Sequence, residues 1–70
     1  MKTINNLEFE LFYSDNYCQT FDSLDKAIKM AVTTFKNNKE MLDSQDFYTI
    51  KLGYITIASV KAVNGNLIIE

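Results

Sequence analysis

The 70-residue sequence contains no histidine, arginine, tryptophan or proline, and it has only one cysteine and two glycines. Without histidine it lacks the side chain that most often acts as a general base near neutral pH. Without arginine it lacks the fork-shaped group that reads guanine edges and clamps phosphates. These absences argue against an enzyme. Together with the net charge of −2, they also argue against a nucleic-acid partner.

The single thiol, Cys18, cannot form an internal disulfide, and without histidine it has no partners for a zinc site. The two glycines, Gly53 and Gly65, are too far apart to form a phosphate-binding loop. Residues 1–6 contain no apolar run, and no stretch is long and apolar enough to span a membrane. We therefore predict a cytoplasmic protein with no cofactor, no metal and no membrane partner.

Three groups have a chemical interpretation beside a structural one. Glu8 and Glu10 would lie roughly 7 Å apart on one strand face, a spacing compatible with an acid pair. Asp43 and Asp46 offer oxygen ligands but lack the spacing and glycine of a calcium loop. Cys18 would need an activating neighbour to act as a nucleophile. We favour a structural interpretation of each group. The two glutamates belong to a solvated strand face and the two aspartates to a surface loop. Cys18 is then a buried or half-buried residue of a strand.

The segment 21–42 is predicted to form one amphipathic helix around which the rest of the chain is organised. Its apolar residues recur at helical spacing: Leu24, Ala27, Ile28, Ala31, Val32 and Phe35. Asp22 is the favoured N-cap and Ser23 the alternative. We expect the helix to stop or fray near Asn38, with an asparagine there in the left-handed backbone conformation. The alternative is a further helical turn to Leu42. Met30 is expected at the margin of the core.

Two strands are predicted before the helix, because residues 7–13 alternate strictly and residues 17–21 read as a short return strand. The preferred register has a three-residue loop that pairs Tyr13 with Tyr17 and Phe9 with Phe21. A two-residue loop, pairing Tyr13 with Cys18, is the alternative.

After the helix, residues 47–52 and 54–63 read as strands, and Asn64-Gly65 is a strong type I′ hairpin signal before residues 67–70. This hairpin pairs Val63 with Asn66. The sequence therefore predicts a single α+β domain over residues 1–70, with two layers in the order ββαββ. One amphipathic helix packs on an antiparallel sheet of four strands, or five if Gly53 divides the long segment.

One feature of the second half predicts a binding surface. A single helix covers one face of a sheet, so the opposite face should be polar. If Val60 and Ala62 face the helix, strict alternation instead places apolar residues there. The candidate interface is Phe12, Ile55, Ile57, Val63 and Ile68. A bulge near Ala58–Ser59, or at Gly53, would shift the alternation of side chains between the two faces by one residue. Ile55 and Ile57 would then return to the core.

The favoured hypothesis is a small non-catalytic protein-interaction module, acting as an inhibitor or regulator. A homodimeric structural protein is one alternative. A weak nucleic-acid binder is another, using Lys26, Lys29 and Lys36 on the polar helix face. Residues 20–27 (TFDSLDKA) resemble the strand-into-helix entry of many small α+β domains. As a small acidic domain without catalytic residues, the chain resembles accessory proteins of phages and other mobile elements. Some of these inhibit host defence nucleases by occluding a surface.

Overall fold

A computed structural model of the chain describes residues 7–42 and 46–70. The elements, in chain order, are β1 (Phe9–Tyr13), β2 (Asn16–Phe21), α1 (Leu24–Asn37), α2 (Lys39–Leu42), β3 (Phe47–Leu52), β4 (Ile55–Val63) and β5 (Asn66–Ile69). The five strands form one antiparallel sheet in the order β2-β1-β3-β4-β5. The predicted α+β fold is confirmed, with five strands. The predictions for residues 1–6 and for 43–45 of the acidic loop lie outside the described residues.

Helix α1 begins at a serine cap. The Ser23 hydroxyl accepts a hydrogen bond from the Lys26 amide at 3.1 Å, while the Asp22 carboxylate lies 2.9 Å from the Lys26 ammonium. The favoured Asp22 cap is therefore wrong, and the alternative, Ser23, is confirmed. The helix stops at Asn37 and Asn38 is its C-cap, but φ of −129° rules out the predicted left-handed closure. Instead the Asn38 side-chain amide donates to the Thr34 carbonyl at 2.9 Å.

The core lies between α1 and one face of the sheet. Its buried residues are Ala27, Ala31 and Phe35 from the helix and Leu11, Tyr48, Ile50, Ala58 and Val60 from the strands. The two alanines let the helix backbone approach the sheet closely. Phe35 meets the Tyr48 ring edge-on, with centroids 5.5 Å apart. The rest of the predicted helical stripe packs partly buried at the margin.

The first hairpin has a two-residue turn and a bulge. Ser14 and Asp15 have positive φ (46° and 73°), and Tyr13 pairs with Asn16. The register shifts between Leu11 and Phe12, which leaves Cys18 as the extra residue and restores the predicted Phe9–Phe21 pair. The predicted Tyr13–Tyr17 pairing is wrong, because Tyr17 lies opposite Phe12. Cys18 is exposed, not buried.

Two further hairpins join the last three strands. Gly53, with φ of +67°, is the first central residue of a two-residue turn, Gly53-Tyr54, as a type II′ turn requires. Asn64 and Gly65 have φ of 53° and 82°, the pattern of a type I′ turn. The predicted Val63–Asn66 pairing is confirmed.

A second bulge lies in β4. Ala58 pairs with Ile50 and Thr56 pairs with Lys51, so Ile57 is the extra residue. Strict alternation predicted that Ile55 lies on the sheet face opposite the helix. This prediction is wrong, because Ile55 lies opposite Leu52 on the helix side of the sheet. The alternative, a change of phase through a bulge, therefore occurs, at Ile57 next to Ala58 and not at Gly53. It does not bury the two isoleucines, since Ile55 remains 68% exposed and Ile57 37% exposed.

Candidate protein-interaction surface

The five predicted interface residues fall on two separate surfaces. Phe12, Val63 and Ile68 lie on the sheet face opposite α1, which we call the far face. Ile55 lies on the helix side, and Ile57 occupies the bulge at the same end of β4. The structure therefore does not bring the five residues together as one patch.

The far face is a mixed surface of apolar, aromatic and charged side chains. The Phe12 ring meets Tyr17 at 5.8 Å between centroids, and the Lys51 ammonium lies 4.9 Å from the Phe12 centroid. Lys61 forms an ion pair with Glu70 at 2.8 Å. Phe12 is half-buried as a result, so it offers little free apolar surface to a partner.

The more exposed apolar surface lies at the tip of the β3–β4 hairpin. Tyr54, on the turn, is fully exposed, and it is followed by Ile55 and Ile57. We call these three residues the hairpin-tip patch. Sequence reasoning missed Tyr54. A large aromatic residue directly after a turn glycine was the available signal, because such a side chain points away from both strands.

The hairpin-tip patch coincides with a strand edge that no other strand covers among the described residues. Strand β5 runs beside β4 only as far as Ser59, where Ser59 and Glu70 exchange two backbone hydrogen bonds of 3.0 and 2.9 Å. Strand β4 continues to Ile55, and within residues 7–42 and 46–70 no strand pairs with the outer edge of 55–58. Unpaired backbone groups on an apolar edge are a template for another strand.

The three lysines of the predicted polar helix face are all exposed on α1. Lys26 and Lys29 line an open groove of about 300 Å³ together with Phe21, Met30 and Thr33, whereas Lys36 lies outside it. Met30, predicted at the core margin, is exposed in this groove. The structure thus joins two of the three lysines with apolar side chains.

A hydrogen-bonded cluster closes the other end of the sheet. The Tyr13 hydroxyl donates to the Asp46 carboxylate, whose second oxygen accepts from the Ser14 hydroxyl at 3.4 Å. The bond to Asp46, reinforced by burial and by the carboxylate's negative charge, raises the pKa of Tyr13 to about 12. The cluster ties β1 to the start of β3, so we assign it a structural role.

This cluster predicts a pH dependence. Since the folded-state pKa of Tyr13 is raised, its contribution to stability is complete below about pH 10 and is lost as the pH rises through about 12. We expect Tyr13→Phe to lower the free energy of unfolding by about 1 kcal/mol at pH 7. The difference from wild type should vanish by about pH 12. Urea unfolding followed by circular dichroism measures it, and a difference independent of pH would contradict the assignment.

No group of three or more histidine, cysteine, aspartate or glutamate side chains is placed to hold a metal ion in the part of the chain that the structure describes. In the same ranges, no helix is long and apolar enough to cross a membrane. Comparison with protein-family models, with curated proteins and with solved structures finds no match.

Proposed function

We propose that this protein is a non-catalytic protein-interaction module that binds an extended segment of another protein at the hairpin-tip patch. The coincidence of exposed apolar side chains with the unpaired edge of 55–58 carries the proposal. An added strand would gain backbone hydrogen bonds from this edge beside Thr56, before the bulge at Ile57, and apolar contacts from Tyr54 and Ile55. Tyrosine is also enriched among the residues that dominate binding energy. Occlusion of a partner's surface in this way suits an inhibitor or regulator.

A second copy of the chain fits this edge less well than a foreign segment. In a two-fold antiparallel pairing of two 55–58 segments, each copy brings its own turn, Gly53-Tyr54, against the other copy. Glu70 already occupies the position of a neighbouring strand beside Ser59, because the two residues exchange backbone hydrogen bonds. That turn would collide with the end of β5, which leaves only a few residues for self-pairing. We therefore favour a foreign protein over the homodimer.

The nucleic-acid alternative has weaker support. The hairpin-tip patch contains no lysine, so it offers no positive charge to a phosphate backbone. On the far face, the Phe12 ring contacts Tyr17 and Lys51, so it is a poor platform for stacking a base. A protein partner uses the exposed isoleucines, which a nucleic acid would leave unburied.

The proposal is tested with two variants matched in exposure and chemistry. Ile57 and Ile68 are 37% and 38% exposed, the first in the hairpin-tip patch and the second on the far face. Tagged wild-type protein, Ile57→Asp and Ile68→Asp are used to capture partners from a lysate of the source cells. We expect Ile57→Asp to lose a partner that Ile68→Asp retains.

The reverse pattern would contradict the proposal by assigning the interface to the far face. Light scattering over a dilution series tests the choice of partner. We expect a monomer at all concentrations, and a dimer abolished by Ile57→Asp would show that the patch binds a second copy.

A further inference from the structure

A second concave surface lies away from the hairpin-tip patch, between one flank of α1 and the edge strand β2. Phe21, the last residue of β2, lines it with Lys26, Lys29, Met30 and Thr33. The four helix residues are spaced i, i+3, i+4 and i+7, so they form one face of α1. This surface is the groove of about 300 Å³ described above.

The groove combines an apolar floor with positive charge at its rim. Phe21 and Met30 supply the floor, and the flexible thioether side chain of methionine adapts to different occupants. Lys26 pairs with Asp22, but both side chains are well exposed, so this pair is weak and can exchange partners. Lys29 makes no ion pair with any residue in 7–42 or 46–70.

The floor adjoins a free strand edge. β2 is the outermost strand, and from Gln19 to Phe21 its pairing with β1 is regular. Among residues 7–42 and 46–70, no strand pairs with its outer edge. An extended segment added here would point alternate side chains to the helix side of the sheet, where Phe21 lies. The bulge at Cys18 limits the regular edge to these last residues of β2.

We propose that the groove binds an extended, acidic segment of a protein. An apolar side chain of the segment packs between Phe21 and Met30, and its carboxylates lie at the Lys26 and Lys29 ammonium groups. The apolar floor favours such a peptide over a phosphate chain, which would use the lysines alone. This site is distinct from the hairpin-tip patch, so either can exist without the other.

A pair of synthetic peptides tests the proposal. The first repeats Val-Val-Glu-Glu, so that each face of the added strand carries both residue types, and the second replaces each glutamate with lysine. Each is titrated into ¹⁵N-labelled protein, and amide chemical shifts are followed. We expect the acidic peptide to shift the amides of Gln19–Phe21 and of the groove residues, and the basic peptide to shift none of them.

Two charge-reversal variants supply the control. Lys29→Glu should weaken binding of the acidic peptide about tenfold. Lys39→Glu makes the same charge change on α2, outside the groove, and should leave the affinity within about twofold. Equal binding of both peptides, shifts confined to other surfaces, or equal losses in the two variants would each overturn the proposal. A short oligothymidine that shifts the groove residues when the acidic peptide does not would assign the lysines to phosphate binding instead.

Discussion

Replacing Phe35 with alanine is expected to lower the free energy of unfolding by about 3–5 kcal/mol. Phe35 is fully buried, and its ring contacts Tyr48 edge-on at the centre of the core. The neighbouring helix residues in the core, Ala27 and Ala31, are too small to fill the cavity that the lost ring would leave. A domain of this size has roughly 4–10 kcal/mol of total stability, so the substitution should remove about half of it.

Urea unfolding followed by far-ultraviolet circular dichroism measures this effect. Tyr54→Ala is the matched control, since it removes an aromatic side chain that is fully exposed. We expect the control to change the free energy of unfolding by less than about 0.5 kcal/mol. A loss below about 1 kcal/mol in Phe35→Ala would mean that the helix does not pack on the sheet as described.

Replacing Ile55 with aspartate is expected to weaken binding of the protein partner at least about 100-fold. The substitution removes an apolar contact worth about 1.5–3 kcal/mol when fully buried. It also places an unpaired carboxylate in the interface, which adds a desolvation cost. Because Ile55 is 68% exposed in the free protein, we expect a stability change of less than about 1 kcal/mol.

Titration calorimetry with the captured partner measures the affinity, and thermal unfolding checks the fold of the variant. Val63→Asp is the control on the far face, where the same introduced charge should leave the affinity nearly unchanged. An Ile55→Asp variant that unfolds would show that this residue belongs to the core. A folded variant with wild-type affinity would remove the hairpin-tip patch from the interface.

The parts of the fold that depend on local sequence could be predicted. The apolar stripe from Leu24 to Phe35 has helical spacing that no strand would produce, and Asn64-Gly65 meets the positive φ that a type I′ turn requires. The N-cap residue was harder to predict from the sequence, because Asp22 and Ser23 are adjacent and both side chains can cap a helix. In the structure the Asp22 carboxylate pairs with Lys26, and Ser23 occupies the capping position.

The candidate site could not be predicted in the same way, because it depends on a bulge and on where one strand ends beside another. A bulge at Ile57 changes the phase of Ile55 by one residue, and no local pattern distinguishes it from a bulge at Ala58–Ser59. Among residues 7–42 and 46–70, the pairing of β5 with β4 extends to Ser59, whereas β4 itself extends to Ile55. Both features are set by pairing between strands.

Hydrogen exchange of the backbone amides tests strand addition at the hairpin-tip patch, because an added strand must protect the edge of β4. Exchange is compared in the free protein and in the complex with its captured partner. We predict that the amides of 55–58 that face away from β3 exchange rapidly in the free protein and become protected in the complex. Protection confined to the far face or to β2, with 55–58 unchanged, would contradict it.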